Sequence, residues 1–290
     1  MSKSVVRNQE LLFHLGVFVF VILFFIYPMY SIIRYSFLRA SPEIPVNQWN
    51  FVGFRNYRMI AIEGHLGAAI YKTIVYAVVG SAVPMILAML FALLVNSFAP
   101  GFRKIVNSIL IIPMLILPVA AGIAWSFFLS EHYGWFNFFI SKLGFKAKPW
   151  LMTRHSLWFV ILTDIWGWTP WCYIILLAAL QQVPPLILDA ASIDGATGLN
   201  RFRYVIFPVI KRVFLVVFTL KLIDTYKAFD YLWVMTGGGP GKASTTLNIA
   251  AYKQLMYYRD LGAASAYGVI SIVFPIVATL TLLAFTARQD

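Results

Sequence analysis

Apolar residues run through this chain in long blocks that neither alternate nor recur at helical spacing. Six blocks lie at about 11–37, 70–96, 105–129, 156–180, 209–235 and 261–287. Each is of the order of 25 residues, and about 18 apolar residues suffice to cross a bilayer as a helix. The lack of alternation excludes a β-barrel. The pattern therefore predicts an all-α, polytopic membrane protein with six transmembrane helices, and an even number of spans puts both termini on one side. Pro28, Pro84, Pro113, Pro118, Pro170 and Pro275 fall inside blocks. Such breakers are tolerated where neighbouring helices satisfy the freed backbone groups, which favours a packed bundle. The first block follows Lys3 and Arg7 as a secretory signal would, but it is too long for an h-region and lacks a small-residue cleavage site, so it reads as a retained span.

Composition agrees with the blocks. The chain is 61% hydrophobic and 12% charged, about half the charge of an average soluble domain. Its net charge of +12 does not imply nucleic acid, because Lys and Arg are scattered between apolar blocks with no basic stripe. Anionic membrane lipid is the better counterpart. The single cysteine, Cys172, lies inside an apolar block and excludes a disulfide framework or a Cys-based metal site within this chain. Loop charges orient the spans weakly: Lys and Arg are denser on the side of the termini but no more numerous there. Between 131 and 155, Tyr133, Trp135, Phe136, Phe138 and Phe139 predict a short helix at the lipid headgroups.

The loop over 181–208, between the fourth and fifth spans, predicts two short helices joined at a bend. Pro184 and Pro185 can open the first, and Gly195 and Gly198 can supply the turn after it. Ile187, Ala190, Ala191 and Asp194 fall at i, i+3, i+4 and i+7, a face that mixes small and apolar side chains with a carboxylate. By pattern alone this is either a docking helix or an ordinary interfacial connector.

The run Asp189-Ala-Ala-Ser-Ile-Asp-Gly-Ala196, followed by Phe202 and Ile206-Phe-Pro208, resembles the EAA loop of permease subunits of ATP-binding cassette importers. It departs from the usual motif in having Asp189 in place of Glu, which keeps the carboxylate and shortens its reach. A second stretch, Ala228 to Pro240 with Thr245-Thr-Leu247 and Tyr252, is similar to the segment after that loop in the carbohydrate-uptake branch, in its maltose-type (MalF-like) subunits. The resemblance covers roughly residues 70–287 and implies a single transmembrane permease domain over 1–290. It implies a cytoplasmic coupling helix in which Asp189, Ala190, Ala191, Asp194, Gly195 and Ala196 dock on an ATPase subunit. It also implies both termini in the cytoplasm of a bacterial or archaeal cell, with the chain in the cytoplasmic (inner) membrane. The implied partners are a second, different permease subunit, two copies of an ATP-binding subunit, an extracytoplasmic solute-binding protein, and a sugar, oligosaccharide or related polyol as solute. ATP and Mg would belong to the ATPase, with no cofactor and no catalytic residue in this chain.

Polar groups inside the spans are the candidates for a solute path. Lys221, Asp224, Lys227 and Asp230 recur every three residues of the fifth block, a spacing at which successive pairs can neutralise each other along one helix face. Charges at such depth should face the bundle interior or water. Asp164 stands near Trp166, Trp168 and Trp171. A carboxylate beside a Trp face suits the hydroxyls and apolar side of a sugar ring, and three Trp near a span end also suit an aromatic belt. Asp164, Trp168, Asp224, Lys227 and Asp230 are thus expected along the path, against the alternative of a self-satisfied structural ladder. Gly237, Gly238, Gly239 and Pro240 read as an external loop, since they lack the Lys-Ser or Lys-Thr of a phosphate loop. Two other classes are weighed. A membrane-embedded enzyme would need convergent acid, base or nucleophile groups, yet His14, His65, His132 and His155 lie at span ends or in loops. A proton-coupled secondary transporter could use the carboxylates as relays, but it would leave the EAA-like loop unexplained.

Overall fold

The structure is a computed structural model that describes residues 13–62 and 65–287. Its contacts divide the chain into two compact units, Met1–Gly67 with Ala250–Val273, and Ala68–Ile249 with Phe274–Asp290. The first two residues of the first expected span, Leu11 and Leu12, lie outside the described residues.

In the first unit, helix α1 (Phe13–Ser36) has a mean hydropathy of 2.3 with none of its most apolar window buried. Its 24 residues reach about 36 Å at about 1.5 Å per residue, enough for a hydrocarbon core of about 30 Å. A π-helical turn, Ile22–Ile26, precedes Pro28, which has no N–H to give the helix. A two-residue antiparallel pair follows, β1 (Leu38–Arg39) and β2 (Asn50–Phe51), with Leu38 opposite Phe51, and then α2 (Arg55–Ile62). Asn56 is buried and its Nδ2 donates to the Ser36 and Leu38 carbonyls at 2.9 and 2.8 Å, which fixes the turn after α1.

In the second unit, α3 (Leu66–Asn96) buries Thr73, Tyr76, Ala77, Gly80, Ser81, Pro84, Met85 and Ala88, a stripe at helical spacing that the uniformly apolar sequence conceals. The expected span over 105–129 is not one helix. It is α4 (Pro100–Leu115) and α5 (Pro118–Phe128), bent by 94°. Pro118 opens α5 and the residue before it, Leu117, is forced extended at φ −57°, ψ 139°, as proline requires of its predecessor. Helix α6 (Trp135–Lys142) is the short helix expected from the aromatic loop, with Trp135, Phe138 and Phe139 exposed. Helix α7 (Ser156–Gln181) is the most buried of the long apolar helices. Helix α8 (Pro185–Ile193) is followed by the turns Gly198–Arg201 and Phe202–Ile206 and by α9 (Phe207–Tyr226). The expected span over 209–235 is interrupted too: α9 ends at Tyr226, and α10 (Asp230–Thr236) begins after a three-residue break. Helices α11 (Leu247–Met256) and α12 (Leu261–Ala287), whose residues are divided between the two units, complete the described chain.

Three described helices, α1, α3 and α7, are long and apolar enough to cross a membrane, and the bent α4–α5 pair is a fourth candidate. Two apolar clusters form the core of the second unit. One joins Met85, Ala88 and Ala92 to Cys172, Leu176, Leu180, Ile210 and Val217. The other joins Tyr76 to Ala121, Leu157, Ile161, Leu232 and Ile249.

Candidate functional site

Against the second of these clusters sits a buried polar group drawn from four helices. Asp164 is on α7 and Lys221 on α9, and the Lys221 Nζ donates to Asp164 Oδ2 at 3.0 Å with side-chain exposures of 1% and 3%. Two charges so far from water hold only as a hydrogen-bonded pair. Trp168, one helical turn after Asp164, presents its ring 4.9 Å from the same Nζ, adding a cation–π contact. Helix α3 approaches closely because Gly80 has no side chain: a Cβ there would lie 2.7 Å from Thr225 Cγ2 and 3.3 Å from Asp164 Oδ2. One turn earlier the Tyr76 hydroxyl is buried without a hydrogen bond of normal geometry. Helix α10 contributes Tyr231, whose hydroxyl packs on Gly167, where a Cβ would meet it at 2.5 Å.

Of the five residues expected on a solute path, Asp164 and Trp168 are therefore brought together, and by Lys221. Asp224 is half-buried one turn further along α9. Lys227 and Asp230 are exposed and lie at the break. The four charges do not form the alternative either, a self-satisfied ladder on one face. Lys221 pairs with another helix, and the helix ends before the row does. Lys227 is the C-cap of α9 and Asp230 is in the first turn of α10, so each faces the helix-end partial charge that suits it.

The segment Gly237 to Pro240 is a turn whose carbonyls are held by neighbouring hydroxyl groups. Gly237, at φ 56°, caps α10 in the left-handed region, where a glycine costs least. Ser244 Oγ and Ser156 Oγ both donate to the Gly239 carbonyl at 2.9 Å, and Thr245 Oγ1 donates to the Gly238 carbonyl at 2.7 Å. The Gly239–Pro240 peptide is cis.

Helix α8 opens at Pro185 with Pro184 as N-cap, the position proline suits. It closes through an Ala196 N–H to Ala191 carbonyl bond of 2.9 Å, with Gly195 at φ 73°, the geometry of a Schellman end. Ala191 is buried and Leu188 packs on the core, while Arg201 donates to the Leu188 carbonyl at 3.3 Å. Ala191 thus faces inward and does not share a free face with Asp194, contrary to the sequence expectation. Outward stand Asp189, Ala190, Asp194 and Gly195 with Leu186 (80% exposed) and Ile193 (86%). Ala196 is half-buried.

Sequence reasoning missed Tyr76, Gly80, Gly167, Thr225 and Tyr231 as members of the buried group. The only signal for them was a glycine or hydroxyl inside an otherwise apolar run.

Residues 73–289 match the family model described as binding-protein-dependent transport system inner membrane component. The trehalose/maltose transport system permease protein MalF of Thermococcus litoralis is 32% identical over 287 residues, covering 97% of this chain and 95% of that protein. The probable ABC transporter permease protein y4oQ of Sinorhizobium fredii is 33% identical over 256 residues, 88% of this chain and 82% of that one. Among solved structures, a bacterial ABC transporter involved in the import of the acidic polysaccharide alginate aligns with a TM-score of 0.84 at 22% identity, covering 99% of this chain and 98% of that one, a likeness of fold.

Proposed function

Because this chain belongs to the binding-protein-dependent transport system inner membrane component family, we propose how its parts serve transport. It is the permease subunit of a binding-protein-dependent carbohydrate importer and a multi-pass membrane protein. Beyond that, the chain crosses a bacterial or archaeal cytoplasmic membrane six times, with the bent α4–α5 pair as one crossing, α9 with α10 as another, and both termini in the cytoplasm. It pairs with a second permease subunit and two copies of a cytoplasmic ATP-binding subunit, which holds ATP and Mg, and it receives solute from an extracytoplasmic binding protein. The chain itself is not an enzyme.

One observation carries the coupling assignment. On α8, Leu186 and Ile193 are exposed beside Asp189 and Asp194, while Leu188 and Ala191 anchor the helix to the core. An apolar face rimmed by carboxylates is a surface for a protein partner. The solute path runs past the α9–α10 break, where Asp224, Lys227 and Asp230 meet hydroxyl groups, with Asp164 and Trp168 behind them. Gly237 to Pro240 turns the chain on the external side.

The experiment is a deletion of the gene for this chain followed by uptake of radiolabelled maltose, trehalose and longer oligosaccharides into whole cells. Uptake of at least one is expected to disappear and to return with the plasmid-borne gene. Uptake unchanged for every carbohydrate offered would overturn the reading.

A further inference from the structure

The compact unit of Met1–Gly67 and Ala250–Val273 holds a cavity of about 280 Å³ to which the transport reading gives no role. Its wall comes from three short stretches: Arg39 after α1, Arg55 and Asn56 opening α2, and Tyr258 to Asp260 before α12. Backbone bonds lock them together. The N–H groups of Leu261 and Gly262 donate to the Ala40 carbonyl at 3.0 and 3.1 Å. A Cβ on Gly262 would lie 2.4 Å from the Leu38 carbonyl oxygen, so the approach is too close for any other residue.

Among the described residues the charges on this wall do not balance. Arg39, Arg55 and Arg259 line it with Asp260, and Asp260 Oδ1 already accepts the Ala263 N–H at 2.8 Å as the cap of α12. Glu43 stands 3.9 Å from Arg259 Nε with both side chains more than half exposed, which contributes little. Arg259 holds φ 53°, a left-handed conformation uncommon for a side chain of its kind. Such strain is found where the surrounding structure enforces a particular side-chain placement.

Position supplies the source of the anion. Arg39 follows the last residue of apolar α1 by three positions, and Asp260 directly precedes α12. The ends of apolar spans lie at headgroup depth; Tyr258 lines the cavity and is largely exposed, as are Phe51 and Phe54, the chain neighbours of the lining residues Val52 and Arg55, as aromatic side chains are at a membrane interface. Guanidinium forks match phosphate oxygens bidentately. We propose that this cavity binds the phosphodiester headgroup of an anionic phospholipid, with Arg39, Arg55 and Arg259 bonding its oxygens and Tyr258 flanking its glycerol.

The inference rests on α1 and α12 lying in a membrane, and its test separates the two. The full chain, purified in detergent, is titrated with phosphatidylglycerol, phosphatidylcholine or inorganic phosphate and followed by native mass spectrometry. Arg39→Gln and Arg55→Gln should each weaken phosphatidylglycerol binding about fivefold, whereas Arg58→Gln, outside the cavity lining, should not. Arg259→Gly keeps the left-handed turn while removing the charge, so it should stay folded and lose binding as well. Equal phosphatidylglycerol retention in wild type and these variants overturns the site. Full displacement by millimolar inorganic phosphate, or equal binding of phosphatidylcholine, overturns the lipid assignment. In each of those cases the chain still sediments with membranes and uptake persists, so the permease reading stands; a wild-type chain absent from the membrane fraction would overturn both.

Discussion

Lys221 and Asp164, 57 residues apart, meet with Nζ 3.0 Å from Oδ2 inside the second compact unit, and neither side chain reaches solvent. The pair joins α7 to α9 beside their apolar contacts and, being directional, fixes their register, the best-attested use of a buried ionic pair. Removing one partner leaves a charge uncompensated. Lys221→Met or Asp164→Asn should each cost about 3–5 kcal/mol of stability, read as a lowered melting temperature of the detergent-solubilised chain. Lys221→Met with Asp164→Leu together should recover most of that loss. Single variants as stable as wild type would show that the pair does not hold the helices.

The missing side chain of Gly80 makes room for Thr225 and Asp164. Gly80→Ala should cost about 1–3 kcal/mol by overpacking, and adding Thr225→Ser, which removes the methyl group 2.7 Å from the new Cβ, should return much of it. Thermal unfolding of the two variants side by side checks this, and a Gly80→Ala chain that melts like wild type would refute the close approach.

Lys227 and Asp230 flank the break between α9 and α10 and are exposed. If solute passes there, Lys227→Met should change uptake while the melting temperature and ATPase assembly stay as they were. Unchanged uptake would return both residues to helix-end duty alone.

These differences mark how far the amino-acid sequence can be read. Helices α1, α3 and α7 were legible because each is a long apolar run, and the two short elements at α8 and after it because proline and glycine punctuate them. The 94° bend between α4 and α5 was not, since Pro113 and Pro118 sit in a run as apolar as any span, and hydropathy does not register backbone direction. The charge row on α9 misled for a related reason. Spacing by three describes neighbours on a continuous helix, but the helix stops at Tyr226, and the partner of Lys221 comes from α7. Gly80 and Gly167 matter through what they lack, which no pattern of side chains reveals.

Helix α8 offers the sharpest functional variants. Gly195 holds φ 73°, so a bulky side chain there is strained, and Gly195→Val should abolish uptake while the chain still inserts. Membrane immunoblots beside uptake assays decide the matter, and normal uptake at normal abundance would remove Gly195 from the coupling element.

The central claim is that another protein drives this chain through α8. Its most direct measurement is solute uptake by proteoliposomes containing the chain, its second permease subunit and its ATPase, with solute-loaded binding protein outside and ATP inside. The wild-type complex should take up solute only with ATP. The complex carrying Asp194→Lys should assemble and neither transport nor show solute-stimulated hydrolysis. Uptake that proceeds without ATP under a proton gradient, or that is unaffected by Asp194→Lys, would contradict the account.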